Sequence, residues 1–199
     1  SDREMELALR LNIGVRWFCG FGLIEDTPDH SYFGKLRKRI GASRLAEIFN
    51  KVNEAMKKKN LFGEVFTFLD ASSIITKTAL WEERDKAIKA GKDKLNNAVV
   101  SNYAADKDAK WGAKSKNNIW FGYKRHNAVD MRFGLIVKVA VTPANVPDCK
   151  AVKYICPKQG MVFDDKGYDY PEADMWIRAN GCVPATLRKD NNRQKNFDL

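Results

Sequence analysis

At 199 residues and 44% hydrophobic, the chain can bury a real core, most simply one domain with an appendage. Its apolar runs are too short to span a bilayer and no charged-then-apolar leader opens it, which argues against a membrane protein and for a cytoplasmic one. A net charge of +10 with 30% charged residues favours polyanionic partners, nucleic acid before acidic lipid.

Residues 1–62 read as a helical region. Met5, Leu9, Ile13 and Trp17 share one helical face, and the run ends near Gly20 and Gly22. Thr27-Pro28-Asp29 predicts a capped start with proline in the first turn. The helix that follows carries Phe33, Leu36 and Ile40 on one side and Lys35, Arg37, Lys38 and Arg39 on the other. Leu45, Ile48, Phe49, Val52 and Met56 continue at helical spacing. A basic face of this kind is either a solvated surface or a contact to the DNA backbone, which positions a protein without reading sequence.

Val65-Phe-Thr-Phe-Leu69-Asp70 reads as a short apolar strand, of the kind buried on both faces, that ends in an acid. From about 77 to 118 the pattern dissolves into a polar, lysine-rich insertion. It includes Lys86, Lys89, Lys92, Lys94, Lys114 and Lys116, with Trp81 and Trp111 as either base-stacking or packed aromatics. Ile119–Asp130 and Leu135–Val141 then form a predicted hairpin around the turn at 130–134. A loop follows, and Asp148 caps a short helix carrying Val152 and Ile155.

Gly160–Phe163 is a second apolar strand, and it closes on Asp164-Asp165-Lys166-Gly167-Tyr168. Asp169-x-x-Glu172 with Pro171 predicts a capping box opening a helix through Trp176 and Ile177, ended by Asn180-Gly181. Val183–Leu187 is a last strand, placed at a sheet edge by Pro184 because proline cannot donate to a central ladder.

Three strands followed by alternating helices and strands predict a mixed sheet covered by helices. In the order 3-2-1-4-5 the two acid-ended strands are neighbours and the proline strand lies at the edge. That is a ribonuclease H-like α/β arrangement: a five-stranded mixed sheet flanked by helices over residues 63–199, preceded by the helical region. Asp70 and Asp164 or Asp165 then converge, and two convergent carboxylates favour a hard divalent cation between them. The four cysteines contain no CxxC pair, and with only His30 and His126 they make a poor zinc site. Free thiols in a reducing cytoplasm are expected.

Several of these stretches together resemble the DDE transposases of bacterial insertion sequences, in particular the insertion-sequence-5-like group. Thr27–Ser31 with Phe33 and Arg37 resembles their N-terminal region, and Leu69-Asp70-Ala71 their first-aspartate strand. Tyr123-Lys124-Arg125-His126 through Asp130, then Thr142–Val146 and Asp148, look like the family's hairpin and loop. Asp165-Lys166-Gly167-Tyr168 matches the second-aspartate motif. Each piece alone is weak; their order and spacing are specific.

The resemblance implies Asp70 and Asp165 as catalytic, metal-binding carboxylates, with Asp164 a neighbour. It implies Mg²⁺, with Mn²⁺ as substitute, DNA carrying insertion-sequence ends as partner, and a homodimer as one assembly. Arg37, Lys38, Arg39, Lys114, Lys116, Lys124, Arg125, His126 and Lys166 are the expected DNA contacts, with His126 read in preference as a hydrogen-bonded residue of the sheet. The family's third carboxylate lies in a Tyr-x2-Arg-x3-Glu-x6-Lys helix that has no match here, and neither Glu172, Asp190 nor Asp198 has its context. The chain is therefore expected to lack that C-terminal helix and to be inactive or inefficient in strand transfer. A non-catalytic derivative binding DNA or a full-length partner, and an unrelated basic nucleic-acid-binding module, stand as alternatives.

Overall fold

A computed structural model describes residues 1–63, 65–76 and 96–189. Trp81, Lys86, Lys89, Lys92, Lys94, Asp190 and Asp198 lie outside the described residues. The chain divides into two compact units, Ser1–Lys59 and Asn60–Leu199.

The first unit is helical, but the single N-terminal helix expected from the apolar spacing is two. Helices α1 (Asp2–Leu11) and α2 (Ile13–Phe18) are separated by Asn12, whose extended backbone lets its side chain cap α2 through the Val15 amide. The asparagine side chain offers the backbone a local alternative to continuing the helix, and here it prevails. Only Leu9 of the apolar quartet is buried; Ile13 and Trp17 are exposed. The organiser is Arg16, which no apolar period singles out. It is buried, and its guanidinium donates to the carbonyls of Leu9, Gly22 and Glu25.

Helix α3 (His30–Lys58) is capped by Asp29, whose carboxylate accepts from the Ser31 and Tyr32 amides. Pro28 thus precedes the cap rather than sitting in the first turn. Gly41, at φ 76°, breaks the element into two helical runs. Before the break Phe33, Leu36 and Ile40 are half-buried while Lys35, Lys38 and Arg39 face solvent, as the spacing predicts.

The second unit is a mixed six-stranded sheet. Strand β1 (Phe66–Ile75) is central, antiparallel to β3 (Asn118–Asp130) and parallel to β5 (Met161–Asp164). Strand β4 (Leu135–Pro143) pairs with the closing part of β3, and β6 (Val183–Thr186) lies parallel to β5. The path β4-β3-β1-β5-β6 is the expected 3-2-1-4-5 order, with the proline strand at an edge. The fold class is therefore the ribonuclease H-like one.

The insertion contributes a sixth strand. Helix α4 (Asn97–Tyr103) and β2 (Lys110–Ser115) pack on the opening part of β3 around a small core of Val100, Ala104, Ala109, Trp111 and Phe121. Trp111 is thus a packed residue, edge-on to Phe121 at 5.3 Å. Tyr123 closes this lobe by donating its hydroxyl to Asp106. At the junction β3 turns on Gly122, φ 146°, where an added Cβ would meet the Ile74 carbonyl oxygen at 2.1 Å. Only glycine fits there.

The main core lies on one face of the sheet. Leu69, Ala128 and Val162 pack beneath a 3₁₀ turn (Asp148–Ala151), α5 (Val152–Ile155) and α6 (Pro171–Ala179). Helix α6 begins at Pro171 without the expected capping box. Asp169 instead accepts from Arg188 at 3.0 Å and from the Lys189 amide, a long-range pairing that outcompetes the local cap. Cys149, Cys156 and Cys182 are buried free thiols in this core. Among the described residues no helix is long and apolar enough to cross a membrane.

Candidate functional site

Alternation along β1 places Thr67, Leu69 and Ala71 on the covered face and Phe66, Phe68 and Asp70 on the other. In β5, Val162 and Asp164 point to the covered face, and Met161 and Phe163 share the open face with Phe66 and Phe68. The Phe66 and Phe163 rings meet edge to face at 5.9 Å. The paired register ends at Phe68 opposite Phe163. Two residues further on come Asp70, still within β1, and Asp165, just past the end of β5, both exposed. Both carboxylates thus follow the last paired positions of two neighbouring parallel strands.

Asp164 goes the other way. It is 1% exposed, and neither carboxyl oxygen has a hydrogen-bond partner among the described residues. Burial pushes its pKa up to about 7, with the Asp174 and Asp165 charges adding to the rise. Thr186, its cross-strand partner on β6, and Arg188 oppose the shift. The Thr186 hydroxyl makes no hydrogen bond among the described residues, so it opposes the shift as a nearby favourable dipole rather than through a formed bond. Geometry separates the two neighbours: Asp164 is a buried acid and Asp165 an exposed one.

Asp165 also caps the 3₁₀ turn Lys166–Tyr168, its Oδ1 accepting from the Gly167 amide at 2.8 Å. A Cβ on residue 167 would sit 2.9 Å from that oxygen, so glycine lets the carboxylate fold back over the turn. Tyr168 anchors the turn by burying its ring in the main core. Its hydroxyl has no partner among the described residues. Its pKa is raised first by burial and then by the charges of Asp148, Asp165, Asp70 and Asp164.

The donor set suits a hard divalent cation: oxygen donors from two exposed carboxylates. Among the described residues no group of three His, Cys, Asp or Glu side chains completes a cage.

The expected basic contacts divide by strand period. Lys124, Arg125 and His126 are consecutive on β3, so the outer two point inward and Arg125 outward. Lys124 is 8% exposed, its Nζ bonded to the Val146 carbonyl at 2.9 Å and Asp148 Oδ1 at 2.8 Å. His126 is fully buried, Nε2 against the Thr142 hydroxyl at 2.8 Å, and burial lowers its pKa, with the Asp148 charge opposing. Both are thus engaged inside the fold, Lys124 with Val146 and Asp148 rather than as an exposed DNA contact, and His126 as a hydrogen-bonded residue of the sheet. Arg125 is exposed on the open face, two residues from Asn127, the partner of Asp70 across the ladder.

Lys114, on β2, reaches the Ala71 carbonyl at 3.3 Å, one residue past Asp70. Lys116 and Lys166 are exposed. In the helical unit Lys38 and Arg39 are exposed, whereas Arg37 is held by Asp2 through two bonds, the longer at 2.9 Å.

Comparison with known families matches residues 62–196 to the family described as "Transposase DDE domain" and residues 1–39 to that described as "Transposase domain (DUF772)". No curated protein and no solved structure gives a significant match.

Proposed function

The chain belongs to the transposase family that carries a DDE domain, and from that premise we propose that it acts on the ends of an insertion element by phosphoryl transfer, with Asp70 and Asp165 holding the divalent metal. What supports this reading is that β1 and β5 are parallel neighbours and that Asp70 and Asp165, both exposed, each come two residues after the Phe68–Phe163 pair. Mg²⁺, or Mn²⁺ in its place, would there activate a water or 3′-hydroxyl and stabilise the leaving oxygen. Arg125 and Lys166 flank the pair and would hold non-bridging phosphate oxygens, with Lys114 and Lys116 extending the basic track. Lys38 and Arg39 of the helical unit would contact DNA backbone, which gives affinity without base reading. A homodimer would present two such sites to two element ends, and the working place of such a protein is the nucleoid.

That no three His, Cys, Asp or Glu side chains among the described residues are grouped so as to hold a metal ion favours a companion reading. In it, this chain holds metal loosely, cleaves DNA inefficiently, and works chiefly by binding DNA or a complete partner. Metal binding separates both readings from an unrelated basic module. Mn²⁺ titration of the wild type, Asp70→Asn and Asp165→Asn should show binding that either substitution weakens severely. Binding that both substitutions leave intact would refute the assignment. Nicking of DNA carrying the element ends by the chain alone would favour the catalytic reading over the companion one.

A further inference from the structure

We propose that Asp148, held in place by Lys124, is a positioning residue for the second carboxylate. The inference rests on the metal-binding reading of Asp70 and Asp165 and deepens it. Asp148 opens the 3₁₀ turn Asp148–Ala151, which is fixed to the core by buried Cys149 and Ala151. Its Oδ1 accepts from Lys124 Nζ at 2.8 Å, and both side chains are mostly buried, at 21% and 11% exposure. An ammonium so enclosed is costly unless paired, so this contact locks both side chains.

The other oxygen, Oδ2, faces the Lys166–Tyr168 turn, against which the Asp148 turn packs. A Cβ on Gly167 would meet Asp165 Oδ1 at 2.9 Å and Asp148 Oδ2 at 3.7 Å, so both carboxylates border the same small space. The Gly167 amide is the group that orients Asp165. A shift of the turn by a fraction of an ångström therefore swings the ligand oxygen. Asp148 supplies the wall on one side of that turn, and buried Tyr168 supplies the floor.

The charge balance fits the same role. An unpaired Asp148 beside Asp165 would repel it, and the Lys124 ammonium offsets that charge without itself reaching the open face. Residues that orient metal ligands from behind typically change metal affinity 10–100-fold when altered. Such a residue is hard to see in the sequence, where Asp148 reads as an ordinary turn cap.

The test uses the full chain and the variants Asp148→Asn, Lys124→Met and the double variant. Without metal, amide hydrogen exchange at Gly167 should speed up roughly tenfold in Asp148→Asn, while the Leu69 amide keeps its protection. Mn²⁺ affinity should fall 10–100-fold in each single variant, and the double variant should lose little more, as expected for residues acting as one unit. Unchanged Gly167 exchange with unchanged Mn²⁺ affinity in Asp148→Asn would overturn the proposal. So would equal acceleration at Gly167 and Leu69, which marks a purely structural role. If the wild type binds no Mn²⁺, or binds it equally after Asp70→Asn, the metal reading fails. Gly167 exchange then decides the positioning role by itself.

Discussion

Asp164→Asn should stabilise the protein above neutral pH and leave it nearly unchanged in mild acid. The carboxyl is 1% exposed, has no hydrogen-bond partner among the described residues, and is pushed by burial from 3.8 to about 7. Between about pH 4 and 7 the folded protein keeps this proton and the unfolded chain has released it. The folded state binds more protons there, so its stability falls as pH rises through that window and levels off above it. At about 1.4 kcal/mol per tenfold, the full fall is about 4 kcal/mol. Asparagine has the shape of the protonated acid but nothing to ionise. In EDTA at pH 8, Asp164→Asn should gain about 2–4 kcal/mol in urea unfolding, or roughly 5–15 °C in Tm for a domain of this size. At pH 4.5 the two proteins should agree to within about 1 kcal/mol. Equal stability at pH 8, or a less stable variant there, would refute the assignment of a buried, uncompensated acid.

Gly122→Ala should cost more than about 2 kcal/mol, because the residue sits at φ 146° with the Ile74 carbonyl in the way; thermal unfolding measures it. Arg188→Met should destabilise by about 3 kcal/mol near neutral pH, since it removes the guanidinium shared by Asp169 and Asp174, whose side chains are 2% and 17% exposed, while the Lys189 amide still bonds Asp169. A loss under about 1 kcal/mol would show that the pairing contributes little. Neutralising Arg37, Lys38 and Arg39 together should flatten the salt dependence of DNA binding. Lys38 and Arg39 should account for most of the change, because Arg37 is already paired with Asp2. Salt titrations of the single variants check that ranking.

The strand order is legible in the sequence because two apolar runs end in acids and a proline marks the edge. The small lobe around Trp111 is not. Its core comes from separate pieces, Val100 and Ala104, then Ala109 and Trp111, then Phe121. Each piece is too short to show a period. Asp169 misleads for a related reason. A capping box is a local pattern, and Arg188, from beyond the next strand, takes the carboxylate away. Lys124-Arg125-His126 looks like one basic cluster, whereas a strand period of two applied to those residues already separates Arg125 from its neighbours.

The apolar runs of β1 and β5 also promise burial on both faces, and the structure meets that on one. Phe66 remains 47% exposed, Phe68 40%, and, on the same face, Val139 43%, Val141 56% and Val183 45%. This asymmetry is what gives the acids different chemistry. Asp164 and Asp165 are adjacent in the chain, and the strand ends between them: Asp164 points under the helices, and Asp165, capping the turn that follows, is exposed. Under the helices the carboxyl is desolvated until it holds its proton to about pH 7. Asp70 and Asp165 both remain in contact with solvent. Shifting β5 by one residue would exchange the two acids, burying Asp165 and exposing Asp164. The turn that Asp165 caps, and Gly167 within it, resists that slip.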